Sequence, residues 1–164
     1  MGNNPHGEIS FERVMILRIY LDTCCYNRPY DNQSNQRVSM ETKAIQLIQN
    51  EIRTGNIELA TSYILRYENN KSPFLVKRVF IEDFMNKYSS IYVTKDRESD
   101  IVSVAKNIIA TGVKQYDAYH IACAMIAKCD FFLSTDKRLL KYNTNDIGLL
   151  NPFDFLDVYG GNEK

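Results

Sequence analysis

Short apolar runs alternate along the chain with longer segments in which apolar residues recur every three or four positions. The short runs predict five β-strands, over residues 15–21, 57–61, 91–94, 131–135 and 147–150. The periodic segments predict helices over residues 37–54, 62–68, 101–108, 116–128, 136–142 and 152–159. A further helix begins at Ser72 and Pro73, which suit an N-cap and the first helical position. Its predicted core-facing residues are Val76, Val79, Phe80 and Phe84.

Strands that alternate with helices are typical of a parallel sheet covered on both faces. We therefore predict an α/β fold with three layers, α/β/α, around a central, mostly parallel sheet of about five strands. The pattern places a single domain at residues 15–159, between flexible tails at residues 1–14 and 160–164. The polar segment 23–36 is predicted to be a loop above the end of the first strand.

Composition narrows the function classes without changing the predicted fold. The 164 residues carry 20 basic and 20 acidic side chains, a net charge of zero, which excludes a globally basic nucleic-acid binder. The longest apolar run, of about seven residues, is far shorter than the roughly 18 needed to cross a bilayer, and no signal peptide is recognisable. We expect a cytoplasmic protein with no membrane association, whose four cysteines are reduced.

Four carboxylates follow predicted strands or open predicted helices: Asp22, Glu68, Asp117 and Asp136. Asp22 ends the buried first strand, where a charge must be paired or liganded. Ligand sites of open α/β sheets lie beyond the carboxyl ends of the strands, so the four acids are expected to meet at one edge. Three of them also have ordinary structural explanations: Asp117 as a helix cap, Asp136 as a first-turn residue and Glu68 as a solvated helix end.

Carboxylates gathered at one place raise one another's pKa unless a cation holds them ionised. Oxygen ligands suit Mg²⁺ or Mn²⁺, which keep several waters and bridge to substrate phosphates. A site of this kind activates water and stabilises an in-line displacement at phosphorus. The sequence therefore predicts Mg²⁺- or Mn²⁺-dependent phosphodiester hydrolysis, with the four acids as both catalytic and metal-binding residues.

Four motifs carry a resemblance to a known family. They are Ile-Tyr-Leu-Asp22-Thr23, the segment from Ser62 to Glu68, Asp117-Ala-Tyr-His-Ile-Ala and Phe-Leu-Ser-Thr-Asp136. In this order they resemble the PIN domain, the fold of many prokaryotic ribonucleases, including the toxins of VapBC toxin–antitoxin pairs. The resemblance covers residues 15–155 and implies a metal-dependent endoribonuclease that acts as a homodimer and is silenced by an antitoxin. The long polar segment 24–36 departs from many small PIN toxins and leaves the RNA substrate and the partner open.

Other residues are candidates for supporting the four acids. Glu41 lies on the inward stripe of its predicted helix and is a candidate additional ligand, the alternative being an ion pair with Arg or Lys. His120, one turn after Asp117, is a candidate for orienting water or phosphate, or else a packed core histidine. Thr23 and Thr135 are candidates for donating hydrogen bonds to the acids, with helix capping as the alternative.

RNA contacts are predicted in two places. Arg28, with Tyr26 and Tyr30, belongs to the segment predicted to overhang the site, where it would bind phosphate while the rings stack on unpaired bases. A solvated loop is the alternative. Lys137 and Arg138 follow the last acid and would flank the RNA, or else form a charged outer face.

Three other functions fit part of the pattern. A catalytically inactive PIN-like module that binds RNA or protein shares the fold, although four intact acids argue against it. A phosphoacceptor receiver domain requires an acid at the end of its third strand, which here ends at Thr94. A haloacid-type phosphatase requires Asp-x-Asp after the first strand, where this chain has Asp22-Thr23-Cys24.

Overall fold

The computed structural model describes residues 15–161, which form a five-stranded, fully parallel sheet with seven helices. The strands are β1 Arg18–Leu21, β2 Glu58–Ser62, β3 Ser89–Val93, β4 Phe131–Leu133 and β5 Gly148–Leu150. The helices are α1 Thr23–Asn27, α2 Gln36–Arg53, α3 Tyr63–Asn70, α4 Leu75–Tyr88, α5 Glu98–Ile109, α6 Gln115–Ile126 and α7 Pro152–Gly161. The predicted α/β class is confirmed.

The strand order β3-β2-β1-β4-β5 creates a crevice next to the central strand. The chain moves outward from β1 to β3 and then returns past β1 to β4, so right-handed crossovers place the connecting helices on opposite faces. Helix α2 packs against α7, and α5 packs against α6. Because the winding direction reverses between β1 and β4, their carboxyl ends border the crevice where such sheets bind ligands.

The core is built around β1 and β4. Tyr20 of β1 has no exposed surface, and its ring stacks on Phe132 with the centroids 5.5 Å apart. Phe155 of α7 packs edge-on against Phe131, at 5.4 Å between centroids. A Cβ atom on Gly148 of β5 would lie 2.5 Å from the Phe131 ring, so only glycine allows β5 to approach β4 here.

Two predicted elements are wrong in detail. The segment 23–36, predicted as a loop, begins with α1 and a 3-10 turn over Arg28–Tyr30. A helix of five residues is too short to show a helical period in the sequence. The helix predicted over residues 136–142 is only a 3-10 turn at Leu139–Lys141. The Asp136 carboxylate accepts a hydrogen bond from the Arg138 amide at 2.9 Å, and this local turn competes with helix formation.

Helix α4 turns its N-terminal half toward solvent, contrary to the predicted orientation. Its buried residues are Ile81, Phe84 and Met85. A set of apolar side chains that we term the α4 apolar face is exposed: Phe74, Leu75, Val76, Val79 and Phe80. Val76 exposes 66% of its surface and Phe80 62%, so of the predicted core residues only Phe84 is buried. Two apolar stripes run along this helix, and the helical period does not say which of them meets the sheet.

The ends of the elements follow local backbone chemistry. Gly55 and Gly112 have φ values of 81° and 103° and lie just after α2 and α5, where the left-handed conformation ends a helix. Helix α7 continues to Gly161, past the predicted domain end at residue 159. The predicted tail at residues 1–14 lies outside the described residues. All four cysteines are free, and no helix within residues 15–161 is long and apolar enough to cross a membrane.

Candidate active site

Asp22 stands at the carboxyl end of β1 with its side chain almost fully buried. Its Oδ1 accepts a hydrogen bond from the Thr23 amide at 2.9 Å. Its Oδ2 accepts one from Ser134 Oγ at 2.9 Å and a longer one from Cys24 Sγ at 3.4 Å. These donors offset the cost of burying the carboxylate and fix it at the crevice between β1 and β4.

Ser134, which is not among the predicted site residues, links two of the acids. Its hydroxyl donates to Asp22 and accepts a hydrogen bond from the Asp136 amide at 3.1 Å. Thr135, the predicted supporting residue, acts through its backbone, whose amide donates to Cys24 Sγ at 3.3 Å. A serine directly after a buried strand is the signal that points to this role, because a buried hydroxyl needs partners.

Asp117 and Asp136 line one cleft of about 430 Å³, termed here the acidic cleft. Asp117 lies in the first turn of α6, whose N-cap is Lys114, so it is not the capping residue. Burial, followed by the charges of Asp22 and Asp136, raises the pKa of Asp117. Asp22 reaches this pair through Ser134, whose hydroxyl contacts both Asp22 and the Asp136 amide. The cleft also has cationic walls, formed by Lys114, Arg138 and Lys141.

Glu68 is the fourth acid, presented from α3. The Thr23 hydroxyl donates to its Oε2, and His120 Nε2 lies 3.0 Å from its Oε1. Burial opposes ionisation of Glu68, but the hydrogen bond and charge of His120 and the hydroxyl of Thr23 outweigh it. The pKa of Glu68 therefore lies below its ordinary value. Thr23 and His120 thus both contact an acid directly.

His120 is buried in a chain of hydrogen bonds that leads away from Glu68. Its Nδ1 lies 2.7 Å from the Tyr20 hydroxyl, which lies 2.7 Å from Ser62 Oγ. Burial alone would lower the pKa of His120, but the hydrogen bond with Glu68 and the charges of the nearby acids raise it. Tyr20 is the residue from which this series of hydrogen bonds could have been predicted, because a tyrosine in a buried aliphatic strand needs a partner for its hydroxyl.

Glu41 is buried, and its carboxylate pairs with arginines. Its Oε1 lies 3.4 Å from Nε of both Arg28 and Arg37, and the Asn151 side-chain amide donates to its Oε2. The ion-pair alternative therefore describes Glu41 better than the role of an additional ligand. Arg28 also bonds Asp31 at 3.1 Å, so its guanidinium contacts two carboxylates within the protein, and its predicted role in binding phosphate stays a prediction.

The remaining predicted RNA contacts are scattered. Tyr26 exposes only 3% of its surface, so its ring is not available to stack on a base. Tyr30 is exposed, but it lines a shallow cleft beside Phe80 of α4. Lys137 lines a separate cleft of about 570 Å³ along α2 and α7. Arg138 alone of this set lines the acidic cleft.

The side chains of the four acids offer oxygen donors to a divalent cation. Within residues 15–161, no three Asp, Glu, His or Cys side chains form a ready-made metal cage. Mg²⁺ commonly binds through one or two carboxylates and completes its shell with waters and substrate phosphates. Burial is the main cause of the raised pKa of Asp117, and the charges of Asp22 and Asp136 raise it further; a cation would relieve that repulsion. The residues therefore fit a hard cation that is held by few protein ligands.

Known proteins resemble this chain in three-dimensional structure and not in sequence. No protein-family model matches the chain, and a search of the curated proteins finds no similar sequence. Three solved structures share its fold, each with a TM-score of 0.52 and each covering 82% of this chain. The first is VapBC2 from Rickettsia felis bound to a promoter DNA fragment, which is 12% identical to this chain. The other two are FitAcB from Neisseria gonorrhoeae and FitAB bound to an IR36 DNA fragment, and each is 18% identical to this chain. The matches cover 98%, 98% and 95% of those chains, so the predicted PIN-like fold is confirmed.

Proposed function

We propose that this protein is a Mg²⁺- or Mn²⁺-dependent endoribonuclease of PIN type that acts in the cytoplasm as the toxin of a toxin–antitoxin pair. The observation that carries the proposal is geometric: Ser134 links Asp22 to Asp136 beyond β1 and β4, and Asp136 lines the acidic cleft together with Asp117. The fold shared with VapBC2 and FitAB supports an antitoxin partner for this chain.

In this proposal Asp22, Glu68, Asp117 and Asp136 hold the cation, some of them through the waters that it keeps. When bound, the metal ion supplies an activated water and offsets negative charge in the displacement at phosphorus. Ser134 and Thr23 keep the oxygens of Asp22 and Glu68 in fixed positions before RNA arrives. Such preorganisation avoids a cost of reorganisation during the reaction.

The cationic wall of the acidic cleft has a complementary task. Four carboxylates at one edge repel the phosphates of RNA. Lys114, Arg138 and Lys141 line the same cleft as Asp117 and Asp136, and their charges attract the backbone of the substrate to its rim. The protein thus binds phosphate by local arrangement, as its zero net charge requires.

Removal of divalent metal is expected to stop cleavage. The purified protein is incubated with total cellular RNA in Mg²⁺, in Mn²⁺ and in excess EDTA, and the cut ends are mapped. We expect cleavage with either metal that leaves 5′-phosphate and 3′-hydroxyl ends, none in EDTA, and recovery when metal is restored. Cleavage that persists in EDTA contradicts the metal dependence. No cleavage with either metal, together with no Mn²⁺ binding by calorimetry, favours the inactive binding module.

We further propose that the chain is a homodimer that buries the α4 apolar face. A contiguous apolar patch on a folded domain marks an interaction surface. Replacing Val76 and Phe80 with Glu is expected to shift the protein from dimer to monomer in sedimentation velocity, without loss of folded structure. Leu47→Glu on α2, whose side chain is also exposed, is the matched control. A wild-type protein that sediments as a monomer, or a dimer that survives the double substitution, contradicts this proposal.

A further inference from the structure

Two exposed tyrosines and a lysine lie beside the acids, and the site described above does not use them. We term Tyr67, Lys71 and Tyr116 the tyrosine–lysine cluster. Lys71 Nζ lies 4.2 Å from the ring centroid of Tyr67 and 6.0 Å from that of Tyr116. Tyr67 exposes 51% of its surface and Tyr116 49%. Tyr67 directly precedes Glu68 in the chain, and Tyr116 directly precedes Asp117.

The cluster belongs to the same electrostatic environment as the acids. The charge of Lys71 contributes to the lowered pKa of Glu68, and both tyrosines and Glu68 help to raise the pKa of Lys71. Lys71 is an exposed residue, and its ammonium group lies over the ring of Tyr67. It therefore supplies a positive charge next to a carboxylate on the α3 side of the site.

The Tyr116 ring has a defined support. It packs edge-on against Tyr119, with the centroids 6.0 Å apart and the planes at 78°. The Tyr119 hydroxyl in turn accepts a hydrogen bond from the Gln115 side chain at 2.6 Å. An exposed ring held in this way offers a flat surface that loses little conformational entropy when a ligand binds, because folding has already ordered it.

The chemistry of these three side chains matches an unpaired nucleotide. The face of a base stacks on an exposed tyrosine ring, and this contact tolerates any sequence because every base has a π-face. The neighbouring ammonium group pairs with a phosphate. A duplex buries the faces of its bases between neighbouring base pairs, so it cannot use the rings in this way.

We propose that the tyrosine–lysine cluster is a subsite for an unpaired nucleotide of the RNA substrate, with a base stacked on an exposed tyrosine ring and a phosphate bound by Lys71. This inference rests on the proposed ribonuclease function and adds to it the side chains that bind a nucleotide next to the acids. The cluster would provide the base stacking that was predicted for Tyr26, whose ring is buried.

Binding is measured without cleavage, by fluorescence anisotropy of a labelled, unstructured RNA oligonucleotide in the presence of Mg²⁺. All variants carry Asp22→Asn, which is expected to prevent cleavage. Replacing Tyr67 and Tyr116 with Ala is expected to weaken binding at least about tenfold, since each stacked base contributes substantially to affinity. Replacing both with Phe keeps the rings and is expected to leave affinity within about twofold. A duplex of the same sequence is expected to respond little to either change.

Tyr92→Ala is the matched control. Tyr92 is also exposed and lies beneath a cation, with Arg66 4.8 Å from its ring centroid, but it belongs to the edge strand β3. A second measurement uses the absence of tryptophan from the chain. Tyr67→Trp introduces a unique fluorophore, whose emission is expected to be quenched when single-stranded RNA binds. Thermal unfolding of each variant confirms that it is folded.

The outcomes separate the two proposals. If the double Ala variant is folded and binds single-stranded RNA as tightly as its parent, the subsite is refuted while the ribonuclease function stands. If the double Ala variant keeps RNA affinity and loses binding to a protein partner, the rings serve that partner and the subsite is likewise refuted. If the wild-type protein neither binds nor cleaves RNA, the proposed function fails first. Tenfold weaker binding with Ala, no change with Phe and quenching at position 67 establish the subsite.

Discussion

Asp22→Asn is expected to reduce metal-dependent RNA cleavage by on the order of a hundredfold or more while the protein remains folded. Loss of a carboxylate that holds the metal removes several kcal/mol of transition-state stabilisation. The fold tolerates the change because Asn also caps helices and has nearly the same shape. Its carbonyl oxygen replaces Oδ1 as the acceptor for the Thr23 amide, and Ser134 Oγ accepts from its amide group.

Cleavage rates are compared at saturating metal, beside circular dichroism spectra and unfolding midpoints of both proteins. Asp83→Asn is the control, because Asp83 lies on the exposed surface of α4 and pairs with Lys87. It removes the same charge from the chain without touching the site, and we expect unchanged cleavage. Full activity of the Asp22→Asn variant would contradict the proposed role of Asp22 as a metal ligand.

Phe132→Ala is expected to lower the free energy of unfolding by about 3–5 kcal/mol. Phe132 has no exposed surface, lies on β4 beside the central strand and stacks on Tyr20. Truncation leaves a cavity between β1 and the packed helices, and it also removes support from the strand that presents Ser134. Urea unfolding at equilibrium measures the effect, provided that the slope of the transition is unchanged.

Phe153→Ala is the matched control for this substitution. Phe153 lies on α7 and is exposed, so its loss removes little buried surface. Its expected effect is within about 0.5 kcal/mol of the wild-type stability. If the two variants are equally stable, the packing of Phe132 against β1 does not contribute as the structure implies.

Much of the fold was predictable because its causes are local. Ile19 and Leu21 belong to an apolar run that predicts a buried strand without any knowledge of its neighbours. Gly55 ends a helix through its own backbone conformation. The orientation of α4 was not predictable in this way. Phe80 and Phe84 stand one turn apart, and only the packing of the whole domain decides that Phe84 is buried while Phe80 is exposed.

The residues of the candidate site also fall into those that the sequence predicts and those that depend on long-range packing. The acids were found because a topological rule gathers the carboxyl ends of parallel strands, whatever the details of packing. The hydrogen bond from Ser134 to Asp22 joins residues 112 positions apart, and that from the Asn151 amide to Glu41 joins residues 110 apart. Such pairs leave no periodic signal in the sequence. For the same reason the ion pair between Arg28 and Glu41 was visible only as an alternative.

The strand order has a consequence for the synthesis of this protein. Asp22 is translated 112 residues before Ser134, whose hydroxyl binds it, and before the neighbouring strand β4. Until that segment emerges, β1 has no partner on one side and Asp136 does not yet exist. A nascent chain therefore has no assembled acidic site before that segment has emerged. The enzyme we propose can therefore assemble its acidic cleft only after Asp136 has been translated and β4 has joined the sheet.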